Sequence, residues 1–179
     1  MSRPGAGPVV PEPLDTDRLT LEPLGSAHAE EMAPVLADPA LHAFTGGAPD
    51  DLPALRARYA RMLAGPPEPG VSWCNWVVRV RADERLAGTV QATVTPDGAD
   101  GLTAEVAWVV GTPWQGRGIA TEAARALVTW LFGHPRVTSV SAHVHPDHLA
   151  SAAVARAAGL APTAERQAGE VKWQLVREP

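Results

Sequence analysis

The chain has 179 residues, 45% of them hydrophobic and 20% charged, which fits one soluble globular domain or two small ones. Its net charge of -5 argues against a general nucleic-acid binder, which needs a basic face to displace counterions from phosphates, and mildly favours a cationic partner. The single cysteine, Cys74, excludes an internal disulfide and a cysteine-rich zinc site, and no run of about 18 apolar residues is present to span a membrane.

Residues 1–13 are rich in Pro and Gly and show no periodicity, so a flexible tail is expected there. This stretch has no apolar segment of the signal-peptide kind, and the expected compartment is the cytoplasm. Arg18 to Leu24 alternates into a short strand ended by Pro23. Ser26 is placed to cap a helix over Ala29–Ala37, and Asp50 or Asp51 to cap a second through Leu55, Tyr59 and Met62. Ser72–Val80, Leu86–Val94 and Thr103–Val110 alternate as an antiparallel meander, with turns at Asp83-Glu84 and Pro96–Gly101.

The period then changes. Ile119, Ala123, Leu127 and Leu131 form the stripe of an amphipathic helix within 116–133. Val137–Val144 is a strand, Asp147 or His148 opens a last helix, and Gly159 ends it in a left-handed conformation. Ala161–Gln167 and Val171–Arg177 close a hairpin around Gly169. Strand 103–110, helix 116–133 and strand 137–144 make a βαβ crossover, which requires parallel strands. The expectation is one α+β domain over 14–179, without repeats.

The chemistry concentrates between Trp108 and Glu122. A strand enters a loop holding Gly116 and Gly118, then a helix N-terminus. First-turn N–H groups lack intrahelical partners and carry partial positive charge, and glycines let an anion approach the backbone. The pair makes a pyrophosphate site. A phosphate loop of the Walker type needs a lysine beside its last glycine, and Lys172 is the only lysine. A dinucleotide fingerprint needs Gly or Ala at 121, where Thr121 stands, and an acid after the next strand, where His143-Val144-His145 stands.

Gln115-Gly116-Arg117-Gly118-Ile119-Ala120 fits the remaining pattern, Gln/Arg-x-x-Gly-x-Gly/Ala. Here the sequence resembles the GNAT superfamily of N-acetyltransferases, and within it the RimJ/RimL-type branch. Leu14–Leu21, Ala104–Trp108 and Val144–Ser151 followed by Gly159-Leu160 resemble three further motifs of that branch, in the right order. The resemblance spans about residues 14–177. It implies a mixed, mostly antiparallel sheet with a splayed parallel central pair and helices on both faces. It implies acetyl-CoA as cosubstrate, without a metal, and a primary amine as acceptor. Charge and hydropathy add the expectation of no nucleic acid and no membrane as partners, and a homodimer is the candidate assembly. Cofactor contacts are expected from Val109, Val110, Gln115, Gly116, Arg117, Gly118, Ile119, Ala120, Thr121, His148 and Ser151. Glu105 is the expected general base, acting through water, and Ser151 a second catalytic candidate near the thiolate. Phe44, Trp73 and Trp76 are expected around the acceptor.

Each residue also has a plainer reading. Glu105 can be an exposed strand carboxylate, Ser151 a helix-start hydrogen bond, and the tryptophans core. His143, His145 and His148 invite a metal reading, weakened by the missing cysteine and fourth ligand. Ser151, His148 and Asp147 sit on one helical turn, too close for a hydrolase triad, and lack its Gly-x-Ser-x-Gly elbow. Two positions depart from the family pattern: His148 replaces its usual Asn, and Ala155 stands where many relatives carry a tyrosine acid. A non-catalytic acyl-CoA-binding domain is therefore the alternative reading.

Overall fold

The structure, a computed structural model, describes residues 7–179. Eight strands form one sheet: β1 (Leu14–Asp15), β2 (Leu19–Pro23), β3 (Ser72–Val80), β4 (Arg85–Asp97), β5 (Gly101–Val110), β6 (Val137–Val144), β7 (Ala161–Gln167) and β8 (Glu170–Val176). Their order across the sheet is β1-β2-β3-β4-β5-β6-β8-β7. Four helices join them: α1 (Ala29–Val35), α2 (Leu52–Ala64), α3 (Ile119–Phe132) and α4 (Leu149–Ala157). The fold is α+β, and β5–β6 is its one parallel pair among the described residues.

The alternation read from sequence decides which face is covered. On one face Val90, Ala92, Val94, Ala104, Val106, Val140 and Ala142 are all buried. The α3 stripe Ile119, Ala123, Leu127 and Leu131 packs there, and Trp130 meets Trp76 edge-on at 5.1 Å. On the other face, α1 and α2 cover the β3–β4 half. Beyond them Glu105, Ala107 and Val109 point outward and stay exposed.

Several expected details change. Residues 1–6 lie outside the described residues, but the next part of the expected flexible tail is tethered along β3. Val9 N–H donates to Ser72 Oγ at 3.0 Å, and Trp76 Nε1–H donates to the Glu12 carbonyl at 2.7 Å. Ser26 does not cap α1. It opens a 3-10 turn whose entry is closed by Gly25 N–H donating to His28 Nδ1 at 2.9 Å. The α1 helix ends at Val35, two residues short of Ala37, with Pro34 in its last turn. Asp51, rather than Asp50, caps α2 by accepting from Ala54 N–H at 2.9 Å. Pro96 does not begin the turn, because β4 runs on to Asp97.

Candidate active site

The parallel pairing of β5 with β6 is brief. It starts at Leu102↔Val137 and ends at Glu105↔Ser141. Beyond that point β5 continues to Val110 and β6 to Val144 without pairing to each other. The strands splay, and the backbone groups of Val106–Val110 on that side lose their ladder partners. A cavity of about 910 Å3 opens in the wedge.

Val109 and Val110 line it from β5, and Gln115, Gly116, Gly118, Ile119, Ala120 and Thr121 from the loop and the start of α3. Gly116 and Gly118 both adopt φ +76°, a left-handed conformation that other residues take only with strain. That conformation explains both glycines as turn geometry and also keeps the loop bare toward the wedge. Gln115 reaches back, its Nε2 donating to the Val110 carbonyl at 3.0 Å, and so ties loop to strand. Arg117 is the exception in the segment: its side chain is exposed and off the cavity wall.

The loop is anchored by residues far away in sequence. Arg18 Nε pairs with Glu122 Oε1 at 2.7 Å, and Arg18 Nη1 donates to the Arg117 carbonyl at 2.9 Å. Thr16 and the Arg18 backbone N–H donate to Glu122 Oε2. Burial works to raise the Glu122 pKa, but the bonds from Thr16 and Arg18 outweigh it and hold the carboxyl below its ordinary value. The Thr-x-Arg pair at the start of the domain is therefore a clamp on the first turn of α3. Gly88 is equally structural. It pairs with Val110, and a Cβ there would lie 2.1 Å from the Val109 carbonyl oxygen. Sequence reasoning passed over Gly88, although an isolated glycine inside a strand pattern signals close backbone approach.

At the other wall, His148 caps α4, its Nδ1 accepting from Ser151 N–H at 3.4 Å. Its ring stacks on Phe44 with centroids 4.4 Å apart. Phe44 also lies 5.1 Å from His145, so the α1–α2 connection closes over the entrance to α4. Ser151 lines the cavity, and Ala155 is turned into the core. Burial first, and then the neighbouring His145, lowers the His148 pKa below its ordinary 6.5. A neutral ring can accept the cap bond and a protonated one cannot. The cap's contribution is therefore complete above pH ~6.5 and is lost as pH falls through the depressed value. Between pH 7 and 5, His148→Asn should lose less thermal stability than wild type, because Asn caps in either state. Melting curves at the two pH values check this; equal losses would dissociate His148 from the acid sensitivity.

The acceptor candidates separate. Phe44 and Trp76 line the cavity, whereas Trp73 is off it, exposed at the far part of β3. Trp108 lines it and was not expected to. Tyr59 is buried on the same wall, with no hydrogen-bond partner for its hydroxyl. Burial pushes its pKa up to about 12, against a smaller lowering from Arg58. Tyr59→Phe should leave kcat within about twofold and raise stability by up to ~1 kcal/mol, since it removes an unsatisfied buried group. A thermal melt with a turnover assay checks both. Cys74 is no nucleophile: burial pushes its thiol up to about 11.

Glu105 sits at the rim, half-exposed, and its Oε1 meets His143 Nδ1 at 2.8 Å. His143, not Glu105, lines the cavity. The three histidines have separate partners: His143 Nδ1 meets Glu105, His145 Nδ1 accepts from Asp147 N–H, and His148 caps α4. Among the described residues no group of three or more His, Cys, Asp or Glu could hold a metal ion. No helix among them is long and apolar enough to cross a membrane.

A sheet splayed at one parallel pair, with a glycine loop and a helix N-terminus facing the gap, is the architecture of an acyltransferase of the GNAT fold. The acetyltransferase (GNAT) domain family matches residues 18–161, and the chain belongs to that family. Among solved structures it is similar to an acetyltransferase from Agrobacterium tumefaciens str. C58, with 26% identity, TM-score 0.72, and 98% of this chain and 100% of that chain covered. It is similar in fold to RimL, a ribosomal L7/L12 alpha-N-protein acetyltransferase in complex with coenzyme A (15% identity, TM-score 0.74, 92% and 98% covered). It is also similar in fold to AAC(6')-Ib in complex with paromomycin and acetyl-CoA (21% identity, TM-score 0.74, 90% and 94% covered). No curated protein sequence matches the chain.

Proposed function

We propose that the chain is an N-acetyltransferase of the RimJ/RimL-type branch. It moves the acetyl group of acetyl-CoA to a primary amine, of a small molecule or a protein N-terminus, by direct attack. The observation that carries this reading is the wedge: β5 and β6 part after Glu105 at the point where the Gly116–Gly118 loop and the α3 N-terminus face the gap. Unladdered backbone on one side and free first-turn N–H groups on the other suit the two ends of a pantetheine pyrophosphate.

In this reading Gln115 holds the loop to β5, and Gly116, Gly118 and the N–H groups of Ile119, Ala120 and Thr121 bind the pyrophosphate. Arg117 contributes its backbone. A backbone N–H at Val109 or Val110 stabilises the oxyanion formed at the thioester. His148 and Ser151 stand beside the thiolate. The thiol leaves with a pKa near ~8.5 by analogy with cysteine, so it scarcely needs an acid and the Ala at 155 is no obstacle. Phe44, Trp76 and Trp108 wall the acceptor. The deprotonating function belongs to the exposed β5–β6 face carrying Glu105. Residues 14–179 act as one catalytic domain, cytoplasmic, metal-free and without a nucleic-acid or membrane partner.

Titration calorimetry with coenzyme A, NAD and ATP, followed by CoA release from acetyl-CoA across a panel of amines, tests this. Selective CoA affinity and amine-dependent release are expected. CoA affinity with no release for any amine would favour a non-catalytic acyl-CoA-binding domain.

A further inference from the structure

The geometry points to His143 as the group that takes the proton from the acceptor ammonium, with Glu105 as the positioning residue behind it. This rests on the acetyltransferase reading. A carboxylate can only accept a hydrogen bond, so the 2.8 Å contact with Glu105 Oε1 fixes the hydrogen on His143 Nδ1. The lone pair is left on Nε2, on a ring that lines the cavity. The His143 side chain is 14% exposed, that of Glu105 56%. Glu105 is the last β5 residue paired with β6, opposite Ser141. His143 is the next residue on the Ser141 face, and so lies just inside the splay. The next residue on Glu105's own face is Ala107, which brings only a methyl to the wall.

The charges around the ring agree with this role. Lys172 of β8 lies opposite His143 in register, but its Nζ is committed to Glu165 at 3.0 Å. His145, just beyond the end of β6, is engaged with Asp147. His148, the N-cap of α4, and Glu170 of β8 also line the cavity, and on the α2 wall Arg58 is paired with Asp50. Glu105 is thus the carboxylate in direct contact with an imidazolium at 143.

The step balances. One proton of R–NH3+ passes to His143 Nε2. The freed nitrogen pair forms the C–N bond at the thioester carbon, and the C–S bond breaks with its pair leaving on sulfur. The thiolate takes the second nitrogen proton, giving the amide and CoA thiol. His143 returns its proton to water at the Glu105 rim.

His143→Gln should lower kcat/KM by about 10²–10⁴ with CoA affinity unchanged. Added imidazole should restore part of the activity of His143→Gly. Glu105→Gln should cost less, about 10–100-fold. The loss should fall in kcat rather than in KM for acetyl-CoA, at an unchanged melting temperature, and Glu105→Asp, which keeps a carboxylate for the Nδ1–H, should recover most of it. A role for Glu105 in folding alone would lower the melting temperature and spare kcat per folded molecule. The proposal is overturned if His143→Gln keeps wild-type kcat/KM, or if Glu105→Gln loses as much as His143→Gln and Glu105→Asp recovers nothing. A wild-type protein that acetylates no amine overturns the acetyltransferase reading as well.

Discussion

Gly118→Val is expected to weaken coenzyme A binding by at least tenfold, or ~1.4 kcal/mol. Gly118 sits at φ +76° as the N-cap of α3, where a β-branched residue is strained. A Cβ there would lie 3.4 Å from Arg18 Nη2, the guanidinium that holds the Arg117 carbonyl and Glu122. The added side chain therefore both covers the first-turn N–H groups and loosens the clamp that aims them. Gly98 is the control. It has φ +67° and open space around its Cβ, in the β4–β5 turn at the end of β5 away from the wedge. Gly98→Val should cost stability but leave CoA affinity intact. Calorimetry on both variants decides: equal affinities for Gly118→Val and wild type would mean that the loop is only a turn.

Gly88→Ala is expected to damage stability and turnover together. The new Cβ would lie 2.1 Å from the Val109 carbonyl oxygen and 3.0 Å from Val110 Cα, so the end of β5 must move. Overpacking of this kind costs ~1–3 kcal/mol or more. In the proposed reading β5 positions the thioester, so a shift of about 1 Å in that strand should cost about 10² in kcat. Gly101→Ala is a matched clash at the other end of β5, 2.6 Å from the Asp97 carbonyl. It should lower the melting temperature while kcat per folded molecule survives. If both variants lose kcat alike, the Gly88 contact does not set the site.

What the sequence reveals and what it hides follow from the range of the interactions. β3 and β6 begin and end where alternation puts them, because Cys74, Trp76 and Val78, or Val140, Ala142 and Val144, each bury one face of the sheet. The glycine loop is legible because its chemistry is local: strand end, two positive-φ glycines and the start of α3 are contiguous. The clamp is not, since Arg18 and Glu122 lie 104 residues apart. Nor is the His143–Glu105 contact, which depends on the register of a parallel pair that no local pattern reports. His148 is recognisable as a helix start, but its stacking on Phe44 depends on where the α1–α2 connection folds back. Trp73 and Trp76 share a strand and look alike in sequence. Only the sheet's two unequal faces separate the exposed one from the one on the cavity wall.

The most direct test of the central claim follows an isotopically labelled acetyl group from acetyl-CoA into an amine. The protein, labelled acetyl-CoA and a panel of small amines and peptide N-termini are incubated, and the products are separated and weighed by mass spectrometry. The account predicts an N-acetylated amine carrying the label, formed in step with free CoA and dependent on the amine. Labelled acetyl-CoA recovered unchanged with every amine, by a protein that binds it tightly, would contradict it.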